Sequence, residues 1–236
     1  MLDEAHDERL EGAADDLGAP ASGASPAGAE TTPVELVRLL DPSREGGQAL
    51  ASALARRRST RHWPNGRLRL DELSQLLWAA QGVTKADGLR AAPSAGAIYP
   101  LLLDVVVGEV GSLAGGIYRY RSGEHALEPR GALDEREALS RAAFGQTWVA
   151  TGAAVIAVSA DSRRTARRYG ARGERYVHFE VGGVAENLYL QAAALGLGTV
   201  LVAAFDDDAV ARILALAHDE RPMALMPIGR LIPPRP

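Results

Sequence analysis

The sequence predicts an α+β fold, in which one mostly antiparallel sheet is flanked by helices. Helical and strand patterns are mixed irregularly along the chain, without the regular strand–helix alternation of a parallel sheet. A hairpin is indicated by residues 116–120 and 125–129, which flank the turn sequence RSGE. Residues 153–159 are continuously apolar, which is typical of a strand buried on both faces.

The remaining elements follow from periodicity and from capping residues. Apolar residues at helical spacing follow Asp71, which we expect to cap a helix that ends before Gly82. The strongest helical pattern covers residues 181–195. The acidic run that starts at Asp206 is interpreted as a helix cap rather than a carboxylate cluster. Helices are also predicted over residues 34–40, 49–57, 133–144 and 206–216, and strands over 104–108, 199–203 and 224–228.

Composition separates a tail from a single domain. Residues 1–32 contain no Ile, Val, Phe, Tyr or Trp, so they cannot bury enough apolar surface to offset the entropy of ordering. We therefore expect a disordered tail over residues 1–32 and one domain over residues 33–236. Of the 236 residues, 47% are apolar and 24% are charged, which is the balance of a globular protein.

Charge and residue content argue against several partners and sites. The formal net charge is −4, so no overall basic field is available to attract nucleic acid. The chain has no cysteine and its five histidines are scattered, so we expect no metal site. The acidic N-terminus does not resemble a secretory signal, and the longest apolar run, residues 148–160, is too short to span a membrane. These features predict a cytoplasmic protein.

Two clusters could bind a ligand, and each has a structural alternative. The sequence RRRSTR at residues 56–61 fits a solvated helix end, where cations complement the helix dipole. It also fits an anion site, because arginine forks and a serine hydroxyl bind phosphate oxygens. The sequence PSAGAIYP at residues 93–100 fits either a simple turn or a loop whose small residues let the backbone approach a flat ligand.

A third cluster contains a candidate acid or base. The arginine- and tyrosine-rich sequence from Arg168 onward fits one amphipathic helix with a charged face. Alternatively, Tyr169 lies in a loop and works as an acid or base, with its phenol tuned by the adjacent Arg168 cation.

Taken together and in this order, the motifs closely resemble those of the nitroreductase superfamily. They are RRSxR, PSAGAxYP, YRY, RYGxRGxRY, the long segment ExGxxxxNLYLxAxxLGLGT, FDDD and PIGR. Within the superfamily the chain looks like the SagB-type (ThcOx-like) branch, and the resemblance covers about residues 33–230. It implies an α+β flavoprotein that forms a homodimer with FMN in the subunit interface.

The resemblance also implies roles for single residues. Arg57, Ser59 and Arg61 match positions that hold the ribityl phosphate, Arg58 is their neighbour in the motif, and Arg230 matches a cation that reaches the same phosphate. The small-residue loop, with Pro93, Ser94, Ala95 and Gly96, matches the segment of the other subunit that lies against the flavin. A later loop, with Ala203 and Ala204, matches one whose backbone N–H faces flavin N5.

Arg168 is a departure from the azoline-oxidising members, in which a Lys-Tyr pair lies at the place of Arg168-Tyr169. Arginine does not readily give up a proton, so a base role falls to Tyr169 or is lost. Three functions follow: an FMN-dependent dehydrogenase of a peptide-derived azoline or a small organic substrate, an NAD(P)H-dependent nitro or quinone reductase, and a non-catalytic flavin-binding partner in a peptide-modification complex.

Overall fold

The computed structural model describes residues 34–45, 47–64 and 66–231, so the predicted tail lies outside the described residues. The strands are β1 (Val37–Arg38), β2 (Leu101–Val107), β3 (Gly116–Arg121), β4 (Ala126–Gly131), β5 (Ala154–Ala160), β6 (Leu197–Thr199) and β7 (Arg221–Arg230). The helices are α1 (Leu50–Arg56), α2 (Leu70–Gln81), α3 (Arg136–Ala142), α4 (Thr147–Thr151), α5 (Ser162–Tyr169), α6 (Arg172–Ala194) and α7 (Asp207–Ile213).

The strands form one seven-stranded sheet in the order β1-β4-β3-β2-β5-β7-β6, and all neighbouring strands are antiparallel. Both faces of this sheet are buried in apolar cores that the sheet shares with the helices. In β5, Ile156 and Val158 belong to the core shared with α2 and α6, whereas Val155 and Ala157 belong to the core shared with α3, α4 and α7. The predicted α+β class, the antiparallel sheet and the buried strand near residues 153–159 are therefore confirmed. No helix within the described ranges is long and apolar enough to cross a membrane.

The helix predicted over residues 34–40 is wrong. Val37 and Arg38 form β1, which pairs with the edge of β4, and the N–H of Leu39 donates to the carbonyl oxygen of His125 at 3.1 Å. A helix this short is marginal in water, because few of its backbone groups find partners within it. The β4 edge supplies those partners, so tertiary pairing overrides the local pattern.

Two further predictions need correction. The strand predicted at 199–203 is β6, which ends at Thr199, because the N–H of Leu201 donates to the Tyr189 hydroxyl at 2.8 Å. Val202 pairs again with Leu225 of β7, but only as an isolated bridge. Helix α2 begins before Asp71, and Glu72 Oε2 accepts from the N–H of Arg69 at 2.8 Å. Glu72 rather than Asp71 therefore caps α2, since the Asp71 carboxylate is bound by the Arg69 guanidinium.

A buried ion network joins β2 to β3. Arg119 is 4% exposed, and its Nε and Nη2 donate to the two Asp104 carboxylate oxygens at 2.7 and 2.9 Å. Its Nη1 and Nη2 also donate to the two Glu220 oxygens at 3.2 and 3.0 Å. Burial raises the pKa of Asp104, and the Arg119 cation opposes that rise. One guanidinium thus binds two carboxylates.

Candidate active site

The basic segment that follows α1 is extended, so its side chains alternate between two sides. A parallel bridge joins Ser59 to Thr199, and the N–H of Thr60 donates to the carbonyl oxygen of Thr199 at 2.9 Å. The structure thereby fixes which residues of 57–61 share a side. We call the side that carries Arg57, Ser59 and Arg61 the cationic side.

Two aromatic residues support the cationic side. The Arg57 guanidinium lies over the Tyr189 ring, 5.1 Å from its centroid, and the Arg61 guanidinium lies 5.6 Å from the Trp148 ring centroid. The Ser59 hydroxyl is 3.0 Å from the Tyr189 hydroxyl. Stacking of this kind orients a guanidinium while leaving its N–H donors free.

The other side of the segment faces a cleft of about 620 Å³, which Arg58 and Thr60 line. Arg58 Nη1 donates to the carbonyl oxygens of Ala55 and Arg57 at 3.0 and 2.6 Å. Arg230 lines the same cleft, and its Nη2 binds Glu72 Oε2 at 2.6 Å. The structure therefore brings Arg57, Ser59 and Arg61 together, and it places Arg58 and Arg230 on the cleft side.

Tyr189 links this segment to the loop after β6, and the sequence analysis gave it no role. Its hydroxyl oxygen accepts from the N–H of Leu201 at 2.8 Å and contacts Ser59 Oγ. Its place in the NLYL motif was the available signal. One phenol therefore fixes the candidate phosphate segment relative to the candidate N5 loop.

The loop at Ala203 and Ala204 exposes its backbone. Both residues are exposed, while Phe205 is buried behind them. The carbonyl oxygen of Ala204 accepts from Gln146 Nε2 at 2.9 Å. Neither alanine N–H donates to another residue within the described part of the chain. The loop thus has two small side chains and two backbone donors open to a ligand.

The small-residue loop is held by a buried carboxylate. Glu180 of α6 is 5% exposed, and its Oε1 accepts from the N–H of Ala95 at 3.0 Å. Ser94 Oγ accepts from the N–H of Tyr99 at 2.8 Å, and Pro93 lies against Gly183 of α6. Burial raises the pKa of Glu180. Glu180 is a positioning residue that sequence reasoning missed, although it opens the ExG motif.

Gly96 brings the small-residue loop to the Arg168-Tyr169 pair. Its φ is +62°, and a Cβ added there would lie 2.7 Å from both Arg168 Nη1 and the Tyr169 hydroxyl. Arg168 Nη1 also donates to the carbonyl oxygen of Gly96 at 3.4 Å. A side chain at position 96 would have to displace the ends of these two side chains, so both the left-handed backbone and the close approach favour glycine.

Arg168 and Tyr169 belong to the last turn of α5, so the predicted loop position is wrong. The alternative of one continuous helix is also wrong, because Gly170, with φ +58°, separates α5 from α6. The Tyr169 ring packs edge-on against Tyr176 with centroids 5.0 Å apart, and Arg168 lies 5.5 Å from the Tyr169 ring centroid. The helix end therefore holds this phenol rigidly beside Gly96.

Within one chain, the two groups of candidate residues contact different parts of α6. Glu180 contacts the small-residue loop, and Tyr189 contacts the cationic side. Nine residues of helix separate them, which is about 13 Å along the axis.

Comparisons with known proteins agree with this architecture. The model of the nitroreductase family matches residues 54–230. A protein of Methanocaldococcus jannaschii described as a nitroreductase is 45% identical over 185 residues, which cover 78% of this chain and 91% of that protein. The crystal structure of a Ralstonia eutropha protein described as a nitroreductase has a TM-score of 0.74 and 31% identity, covering 84% of this chain and 90% of that one.

A third comparison is similar in fold alone. A chain of the E. coli microcin synthetase complex with truncated pro-MccB17 bound has a TM-score of 0.63 and 21% identity, covering 86% of this chain and 80% of that one. The family model covers well over half of the sequence, and the archaeal relative is nearly half identical. By sequence and by fold, the chain belongs to the nitroreductase family of oxidoreductases.

Proposed function

We propose that the protein is an FMN-dependent oxidoreductase of the SagB type, which dehydrogenates a peptide-derived azoline or a small organic substrate. The main observation in favour of an FMN cofactor is the cationic side, where Arg57, Ser59 and Arg61 project together. The Arg168-Tyr169 pair beside Gly96 supports the dehydrogenase chemistry.

The cationic side fits a phosphate dianion. The nearest carboxylate to Arg57 is that of Glu186, at 4.0 Å from Nε, and Arg61 forms no ion pair within the described residues. Tyr189 can donate its proton to Ser59 Oγ, which leaves the serine proton for a ligand. Two guanidinium groups and a hydroxyl donor are the groups that bind a phosphate monoester well.

The two loops fit the ring of the same cofactor. Ser94, Ala95 and Gly96 present a surface without bulky side chains, and the Ala203–Ala204 loop presents free backbone donors. When bound, FMN supplies the ring that accepts a hydride from the substrate. Donors close to the ring tune its potential, and small side chains beside it leave room for the substrate carbon.

Dehydrogenation also releases a proton, and Tyr169 is the residue that we assign to take it. The Tyr169 hydroxyl lies beside the Gly96 backbone, at the edge of the surface that would contact the flavin. Arg168 cannot take the proton, because a guanidinium stays protonated. Glu180 holds the loop that sets the distance between the phenol and the flavin.

A nitro or quinone reductase driven by NAD(P)H is a second candidate. The 45% identity to the archaeal protein described as a nitroreductase favours it. Both candidates use the same cofactor residues, and they differ in whether the protein must supply a base. Substitution of Tyr169 therefore distinguishes the two candidate functions.

Replacing Arg57 by Ala should lower FMN affinity by tenfold to over a hundredfold. The change removes a charge-assisted bond to phosphate, worth about 1.5–3 kcal/mol. Fluorescence titration of apoprotein with FMN measures the effect. Arg58→Ala is the matched control, because Arg58 points to the cleft side and binds its own backbone. Unchanged affinity in Arg57→Ala would refute the assignment, and an equal loss in Arg58→Ala would move the phosphate to the cleft.

We also propose that the protein is a homodimer whose second subunit completes the flavin site. Within one chain the small-residue loop is displaced along α6 from the cationic side, so a partner loop can reach that side. Large apolar side chains remain exposed, including Leu50 at 64%, Phe144 at 72% and Phe179 at 67%, and a second subunit could cover them. Light scattering of the yellow protein should give two chains per particle. A single chain that retains FMN would contradict this proposal.

A further inference from the structure

A second polar cleft lies behind the small-residue loop, away from the residues assigned to FMN. Its volume is about 280 Å³, and it lies between the start of β2, the β3–β4 turn and α5. Its polar lining is formed chiefly by Gln81, Arg90, Tyr99, Tyr120 and Arg164. None of these residues belongs to the cationic side or to the Arg168-Tyr169 pair.

Two arginines in this cleft are held in place by neutral partners. The Arg90 guanidinium lies over the Tyr99 ring, 4.5 Å from its centroid, and the Arg90 N–H donates to the Tyr99 hydroxyl at 3.1 Å. Arg90 Nη1 donates to Gln81 Oε1 at 3.0 Å. Arg164 Nη2 donates to the carbonyl oxygen of Ile98 at 3.2 Å. These contacts orient both side chains without neutralising either charge.

In the part of the chain that the structure describes, the two arginines of the cleft are not paired with a carboxylate. Within the described ranges neither Arg90 nor Arg164 forms an ion pair, although Glu124 of the β3–β4 turn lines the same cleft. Burial lowers the pKa of Arg90, and the Arg164 cation lowers it further, while Tyr99 opposes the shift. Two like charges near one another in a partly dry site are unfavourable unless an anion joins them.

A residue that lines the cleft also has an unused buried donor. Gln81 is 1% exposed, and because Arg90 donates to its Oε1, the amide must present Nε2 as its remaining donor. That nitrogen is buried and has no hydrogen-bond partner within the described residues. An unpaired buried amide N–H is costly, and a bound acceptor would satisfy it once the side chain turned Nε2 toward the cleft.

We propose that this cleft binds a phosphate dianion, either free phosphate or the phosphate group of a monoester. Two cations match the charge of a dianion, and arginine forks together with an amide donor match its oxygens. The site is distinct from the one assigned to the FMN phosphate, so the proposal gives the protein two separate anion sites.

Calorimetric titration of the FMN-loaded protein with inorganic phosphate tests the site, with ionic strength held constant by sodium chloride. We expect saturable binding, and Arg164→Gln should weaken it at least tenfold. Arg164 is exposed, so this change should not affect folding, and Arg90→Gln should have the same effect. Arg167→Gln is the matched control, because Arg167 lies on the same helix outside the cleft lining and should leave phosphate affinity unchanged.

Three outcomes would overturn the proposal. They are the absence of saturable binding, equal binding of acetate, and equal affinity in the Arg164→Gln and parent proteins. If phosphate binds only to the apoprotein and FMN excludes it, the phosphate occupies the cofactor site. That result would overturn the second site but not the flavin assignment. Titration with adenosine monophosphate distinguishes free phosphate from a phosphate monoester as the ligand. If adenosine monophosphate binds more tightly than inorganic phosphate, and Arg164→Gln weakens its binding in the same way, the ligand is a monoester.

Discussion

Replacing Tyr169 by Phe should reduce dehydrogenase turnover by roughly 10²–10⁴-fold while FMN remains bound. The change removes the oxygen that we assign to take the proton and keeps the ring that packs edge-on against Tyr176. Oxidation of an azoline peptide, followed with oxygen as the acceptor, measures the effect. For a nitro or quinone reductase the acceptor draws protons from water, so the same variant should lose little in NADPH-driven nitroaromatic reduction.

Tyr176→Phe is the matched control for this experiment. Tyr176 packs on Tyr169, and it is Tyr169 whose hydroxyl lies beside Gly96. The control should therefore keep both activities. Loss of flavin in Tyr169→Phe would show that the phenol is part of the cofactor pocket rather than a base. Undiminished azoline oxidation by a flavin-loaded variant would remove the base assignment altogether.

Replacing Arg119 by Met should lower the free energy of unfolding by about 3–5 kcal/mol, which is typical of breaking a buried ion pair from one side. The variant leaves Asp104 and Glu220 facing one another without a cation in the β2–β3 layer. Urea unfolding at neutral pH measures the loss. Arg121→Met is the control on the same strand, because the Arg121 side chain of the Arg121–Glu128 ion pair is 48% exposed, and losing this pair should cost less, about 1 kcal/mol.

The pH dependence of this variant follows from the pKa of Asp104. Burial already raises that pKa above its ordinary value, and removal of the cation raises it further. A carboxyl group with a raised folded-state pKa is most favourable to folding when it is protonated, so the deficit of Arg119→Met should shrink as the pH falls. A deficit that is independent of pH would mean that lost packing, rather than unpaired charge, causes the destabilisation.

Local signals predicted much of the fold. The RSGE turn gives the β3–β4 hairpin, and the Asp206 carboxylate caps α7 by accepting from the N–H of Ala209 at 2.8 Å, as predicted. Gly82 ends α2, also as predicted. In each case the determining residues are neighbours in the chain. Strand β1 escaped prediction because its partner, β4, lies far away in the sequence.

The candidate site, like the fold, combines features that local sequence predicts with features that depend on tertiary packing. The grouping of Arg57, Ser59 and Arg61 follows from simple alternation once the segment is extended. The ion pair between Arg230 and Glu72, and the contact of Glu180 with Ala95 across 85 positions of sequence, depend on tertiary packing. No periodicity within the sequence reports such contacts, so the positioning roles of Glu180 and Tyr189 emerged only from the structure.

The alternation in the segment after α1 makes its length as important as its composition. Ser59 is paired with Thr199, so a deletion or insertion of one residue on either side of Ser59 would reverse the side to which Arg57 or Arg61 projects. Such a change would turn one of the arginines assigned to the cofactor toward the cleft, even if both arginines were kept. Engineered libraries of this chain should therefore keep the number of residues between Arg57 and Arg61 fixed.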